Sequence, residues 1–205
     1  MKWNVERESM KKLLGILVLG LFLITPSQAS DIQDFQIEGM SIGDSLLDYF
    51  SEEEIKDNTN TGYYTNNKYT SVEFFQLSSF KTYDSVGLRY KTDDKKYIIV
   101  GISGTLFCEK NIEKCNKKQK EIDLKISNMF ENAQKDVSKD KHAADKSGKS
   151  TTSQINYWFK SKEVVSIELI DWSEKITNEK GWTDNVSVLF YTSDFAQWVM
   201  NKSQE

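Results

Sequence analysis

The stretch YIIVGISGTLFCEKNIEKCNKKQKEIDLKISNMFENAQKDV, residues 97–137, decides the fold. Ile98, Val100, Ile102, Leu106 and Cys108 fall at period two, which predicts a strand over Tyr97–Phe107 with one face in a core. Beyond a short turn the spacing changes. Ile112, Cys115, Gln119, Ile122, Ile126, Met129, Ala133 and Val137 recur at steps of three and four, one stripe of an α-helix with Gln119 its only polar member. Both cysteines are in phase with these apolar faces, Cys108 at the strand end and Cys115 near the helix start.

Working outward, the same periods recur on either side. Upstream, Ile32, Phe35 and Ile37 make an extended lead-in, and Gly39–Gly43 reads as a turn. Asp44 is placed to cap Ser45–Phe50, and Ser51-Glu52-Glu53-Glu54 matches a capping box that starts a short helix with Ile55 inward. The Asn-rich segment 57–68 reads as a loop. Strands are expected over Tyr69–Leu77 and Ser85–Lys91, the second with Val86, Leu88 and Tyr90 inward and Gly87, Arg89 and Lys91 outward. Downstream, residues 138–152 hold Lys, Asp, Ser and Gly and predict an exposed polar loop. Three further strands are centred on Tyr157, Ile167 and Val188, the last two joined by a longer connection over Ser173–Asp184. Ser193 or Asp194 caps a final helix with Phe195, Trp198 and Val199 inward.

Strands joined by short turns pair antiparallel. The expected fold is therefore α+β, an antiparallel sheet with helices on one face, built as tandem helix-plus-three-strand units. The first unit spans 30–137. The second spans 153–205 and belongs with the first in one domain. The other sheet face is left partly open, with Tyr97, Phe107, Trp158 and Phe75 directed onto it.

The N-terminus reads as an export signal over residues 1–29. Lys11 and Lys12 precede a twelve-residue apolar run, Leu13–Ile24, and Ser27-Gln28-Ala29 makes a cleavage site. The run is short of the roughly 20 residues that a bilayer span needs, so no stable membrane span is expected after cleavage, with a retained anchor as the alternative. Periplasmic or secreted placement follows, and in such a compartment the two cysteines predict a Cys108–Cys115 disulfide. A metal site is not expected, because C-x6-C has no second Cys pair and His142 is the only histidine. Removing residues 1–29, with four of the 27 Lys/Arg and two of the 31 Asp/Glu, leaves a net charge of −6. That balance opposes nucleic-acid binding. Arg89 is the only arginine after residue 29, which argues against a dedicated anion site.

Three motifs carry possible chemistry. Gly43-Asp44-Ser45-Leu46 spells the block of the GDSL esterases, in which the serine is the nucleophile. A Ser45 esterase needs a base, and the sequence offers only His142, without the D-x-x-H block. Lys146–Ser150 resembles the end of a P-loop but lacks its first glycine, strand and helix. The aromatic residues Tyr97, Phe107, Trp158, Trp172 and Trp182 are the candidate binding residues. No cofactor is implied. The expected function is a non-catalytic envelope module that binds an unknown protein or envelope component, with a Ser45 esterase as the alternative.

Ile37–Ile55, containing Gly-Met-Ser-Ile-Gly-Asp-Ser-Leu-Leu-Asp-Tyr-Phe, and Lys141–Ser150 resemble segments of small exported proteins from marine alphaproteobacteria. That resemblance brings no activity with it. The layout is also similar, at the level of fold, to β-lactamase-inhibitor-like and outer-membrane assembly lipoprotein modules, which implies binding rather than catalysis.

Overall fold

The computed structural model describes residues 35–64, 66–109 and 111–202; the export signal expected at 1–29 lies outside them. Seven strands form: β1 (Tyr69–Phe75), β2 (Ser85–Lys91), β3 (Gly101–Phe107), β4 (Gln134–Lys141), β5 (Thr151–Trp158), β6 (Val164–Asp171) and β7 (Asn185–Tyr191). The helices are α1 (Glu52–Asp57), α2 (Ile112–Met129), α3 (Glu174–Lys180) and α4 (Ser193–Lys202). All strand pairs are antiparallel, in the order β1-β2-β3-β7-β6-β5-β4. The α+β class is as the sequence predicts. β7 inserts between β3 and β6, so the two strand groups share one sheet.

The register sorts side chains onto two faces. On one, Val72, Leu88, Ile102, Phe190, Val165 and Tyr157 stand in a single row, and Phe74, Val86, Gly104, Val188, Ile167 and Ile155 in the next. α2 covers this face with Cys115, Gln119, Ile122 and Ile126. Leu46 and Ile55, both fully buried, fill the end beyond it. Each such aliphatic side chain contributes about 1.5–3 kcal/mol by burial. Gln119 fits the stripe because its amide donates to the Ser153 carbonyl at 3.1 Å. Tyr157 likewise reaches the helix, donating to Asp123 Oδ1 at 2.5 Å. The Cys108–Cys115 disulfide is formed and ties the end of β3 to the first turn of α2.

The capping box forms as read: Ser51 accepts from the Glu54 amide, and Glu54 accepts from the Ser51 amide. Several other expectations are corrected. β3 starts at Gly101, and Ile99, not Ile98 or Val100, is the buried residue before it. The chain turns there to pair with Gly43 and Asp44, which shifts the period. α2 ends at Met129 because Phe130 leaves helical geometry and buries its ring against Phe35 and Phe159. Val137 therefore lies in β4, exposed. Residues 138–141 of the expected loop are the second half of that strand, so the second unit has four strands. The rest, 142–150, is a turn pinned from within by buried Asp145, which accepts from the amides and hydroxyls of Ser147 and Ser150 and from the Ser173 hydroxyl. The connection Ser173–Asp184 contains α3.

The two sheet edges are protected differently. Segment 58–60 covers β1, with Glu73 and Asn60 amides bonded to Asn58 and Ser71 carbonyls. β4 is an open edge, and Lys135, Asp136, Lys139, Asp140 and Lys141 charge it against pairing with another chain.

Candidate binding face

On the face turned away from α2, two adjacent rows are mostly polar. One row runs Glu73, Gly87, Ser103, Leu189, Ser166, Asn156, Asp136; the next runs Phe75, Ser85, Thr105, Ser187, Glu168, Gln154, Ser138. Neither row holds a lysine or arginine, although the chain has 27 Lys and Arg. The side chains pair across strands. Ser85 donates to Glu73 at 2.8 Å, Thr105 and Ser187 share a bond of 2.8 Å, Gln154 donates to Glu168 at 2.8 Å and Ser166 to Asn156 at 2.7 Å. Aromatic rings border this band. Phe75 is 58 % exposed at the β1 end. Trp158 is half-buried in the adjoining row of β5 and donates Nε1–H to Asp136 at 2.9 Å. Phe107 is half-buried beyond the second row.

α4 closes one corner of this face. Phe195, fully buried, lies on Gly101, where a Cβ would come within 3.0 Å of its ring. Its ring also packs against Tyr69, Tyr191 and Trp198. Tyr64 rests on Phe195 and Trp198 and roofs the space beside Arg89. Burial raises Tyr64 to about 12 and Tyr191 above the ordinary phenol range, so both are neutral at pH 7. Arg89, expected to point into solvent, is only 5 % exposed. The sequence registered its direction correctly but had no signal for the layer above it.

The other candidates lie elsewhere. Tyr97 is not on the open face; it sits in the turn before β3 with its ring against Tyr90, whose side chain points to the α2 side. The Trp172 and Trp182 rings meet at 4.7 Å, and the His142 ring lies 4.3 Å from that of Trp172, both pairs tilted. This aromatic group was scattered in sequence and is brought together at one end of the sheet. Burial lowers the His142 pKa, and its Nδ1 accepts from the Ala144 amide. Ser45, not Asp44, is the cap: its Oγ accepts from the Leu47 amide in a 3-10 turn over Leu46–Asp48 and donates to the Lys96 carbonyl at 2.7 Å. Asp44 accepts from Ser41 and Tyr49. Ser45 pairs beside Ile98, next to β3, while His142 follows β4, with β7, β6 and β5 between. The P-loop-like segment spends its Ser147 and Ser150 amides on Asp145.

A cleft of about 540 Å³, open to solvent, lies between α2 and the sheet, lined by Phe35, Tyr83, Leu106, Ile126, Met129 and Phe190 among others. Among the described residues, no group of His, Cys, Asp and Glu is placed to hold a metal ion, and no helix is long and apolar enough to cross a membrane. Comparison of the chain with protein-family models, curated proteins and solved structures found no match in any of the three.

Proposed function

We propose that the protein is an exported, non-catalytic binding module of the periplasm or cell exterior that holds a polar envelope component, of the glycan class, on the sheet face opposite α2. One observation carries the reading: two adjacent rows made mostly of hydroxyl, amide and carboxylate side chains, interrupted by Gly87 and Leu189, cross the sheet and meet Trp158 and Phe75 at their border. A merely solvated face in this lysine-rich chain would carry lysines, as α2 does at Lys114, Lys117, Lys118, Lys120 and Lys125. A protein-docking face would be depleted of Ser, Glu and Asp and anchored by central apolar residues. A hydroxyl-rich ligand suits the band, because its groups exchange donors and acceptors with the half-buried Thr105, Gln154, Asn156 and Glu168 while a ring face lies on an aromatic side chain. The disulfide is compatible with an oxidising compartment. The engagement of the Ser45 hydroxyl with Lys96 and Leu47 favours binding over esterase chemistry.

The test is co-sedimentation with peptidoglycan sacculi and binding to an immobilised glycan panel, for the unaltered chain and for Trp158→Ala and Gln154→Ala. The expected result is retention by at least one glycan, weakened about tenfold in each variant, equivalent to about 1.4 kcal/mol. Wild-type retention by both variants, or no retention of the unaltered chain by any glycan, overturns the proposal.

A further inference from the structure

Among the described residues, three buried polar atoms on β1 and β2 lack a hydrogen-bond partner: Arg89 Nε, Ser71 Oγ and, toward Asp194, Tyr69 Oη. Ser71 stands directly opposite Arg89, and Tyr69 is the next residue along β1 on the same face. Opposed side chains in an antiparallel pair start about 5 Å apart, so Ser71 and Arg89 share one space. They are 1 % and 5 % exposed, and Tyr69 is 3 % exposed. Leaving such a group unpaired costs about 1–3 kcal/mol, more for a charged one, so a chance cluster of three is disfavoured.

One end of the guanidinium is tied down. Nη1 donates to Ser103 Oγ at 2.5 Å. Gly87 makes room for that arrangement. A Cβ there would lie 2.6 Å from Glu73 Oε2, 2.7 Å from Arg89 Nη1 and 2.7 Å from Ser103 Oγ. One edge of the arginine is thus fixed by the sheet and the Nε–H edge is left over, on the side of the Ser71 hydroxyl. The pair offers a cation and two donors to an acceptor.

We propose that this corner, under Tyr64 and α4, is a binding site for a small carboxylate, free or borne by a larger ligand. Arg89 Nε–H and the Ser71 hydroxyl donate to its two oxygens. A monoanion fits better than a phosphate dianion, because the Glu73 carboxylate lies beside the Arg89 guanidinium. The site does not depend on the glycan reading: it is walled by α4 and the Tyr63–Tyr64 segment, away from the paired amides of β5 and β6. Entry requires the Tyr63–Tyr64 segment to move, and Tyr63 is 58 % exposed at its outer side.

The chain contains two arginines, Arg7 and Arg89, so the Arg89 Nε–H signal is readily assigned in a 1H–15N spectrum by its loss in Arg89→Lys. The experiment titrates the folded protein with acetate, glucuronate, inorganic phosphate and chloride at constant ionic strength. A saturable shift of that signal with acetate or glucuronate is expected, at least tenfold tighter than with phosphate or chloride. Ser71→Ala, which keeps the strand, weakens it at least threefold. Saturation by glucuronate but not acetate assigns the carboxylate to a larger ligand; the reverse assigns it to a free one. No saturable shift, an equal response to all four anions, or unchanged binding in Ser71→Ala overturns the proposal and leaves the cluster as a site for internal water.

Discussion

Removing the Cys108–Cys115 disulfide should lower the melting temperature by about 7 °C. The bond joins residues seven apart in sequence. Closing a loop of about eight residues removes roughly 8 cal/mol/K from the unfolded chain, about 2.5 kcal/mol at 25 °C. For about 170 folded residues the unfolding entropy near the midpoint is roughly 0.36 kcal/mol/K, which converts 2.5 kcal/mol into about 7 °C. The assay is thermal unfolding followed by circular dichroism, oxidised against reduced. The Cys108→Ala/Cys115→Ala double variant adds the loss of two buried sulfurs and should fall a little further, since Cys108 is 2 % and Cys115 0 % exposed. The native state keeps other ties at this point: the Cys108 amide donates to the Asp184 carbonyl, and Asn111 caps α2. The reduced protein should therefore remain folded, with the same far-ultraviolet spectrum. A drop below about 2 °C on reduction would refute the reasoning, because it would mean that the unfolded chain already holds the two ends together.

Three further outcomes follow from local geometry. Lys162 has φ +69° in the turn between β5 and β6, where its amide bonds to the Phe159 carbonyl, a place that glycine fills without strain. Lys162→Gly should stabilise by about 0.5–1 kcal/mol in chemical denaturation, and destabilisation would contradict it. Ser45→Ala should cost about 1 kcal/mol as a lost cap and leave hydrolysis of aryl esters at the level of the unaltered chain; loss of a measurable esterase activity would restore the serine-nucleophile reading. Acid should act through two groups. Bonds from Ser147 and Ser150, against some burial, hold the Asp145 pKa well below the usual carboxylate range. Its stabilisation is present above the unfolded value near 4 and is lost as pH falls through the folded value. Burial lowers His142, so that contribution is lost as pH falls below about 6.5, its unfolded value. Because His142 is the chain's only histidine, its ring signal reads this directly, and a midpoint at or above 6.5 would contradict the burial argument.

What was legible in the sequence depended on burial being one-sided. β6 and β7 alternate because one face meets α2, and β2 because its inward face joins the core filled by Leu46 and Ile55; their inward residues were read correctly. β4 was not legible: as an edge strand it has exposed residues on both faces, so no apolar period marks it. α3 was missed because seven residues with one buried member, Ile176, make no repeat. Ile98, Ile99 and Val100 are all apolar, so period alone could not show which one the bridge to Asp44 turns inward. For the binding face, the aromatic borders Phe107 and Trp158 were found by their outward phase. The polar rows between them were invisible, since Ser103, Ser166 and Ser187 are ordinary outward residues until the strand order aligns them. That order depends on β7 returning to the middle of the sheet, a long-range choice with no local signal.

The same strand order explains why the open face keeps its short polar side chains. A sheet face without a helix layer has three stable solutions: apolar residues under a partner, long charged residues in water, or a hydrogen-bonded mesh. On β4 the open face carries the exposed carboxylates Asp136 and Asp140, while Lys135, Lys139 and Lys141 stand on the other face. The chain uses the third on β3, β7 and β6, where Ser103, Ser187 and Ser166 are buried because neighbouring side chains close over them. A mesh of that kind holds its donors and acceptors at fixed positions, with little side-chain entropy left to lose. That is the condition under which a polar ligand binds with orientation, because the cost of ordering the site is met in folding. At the α4 corner the mesh stops short: Ser103 satisfies one edge of Arg89, and among the described residues neither Arg89 Nε nor the Ser71 hydroxyl opposite it is bonded. The proposed carboxylate would complete that edge, because it brings the oxygens that the neighbouring side chains do not offer to it.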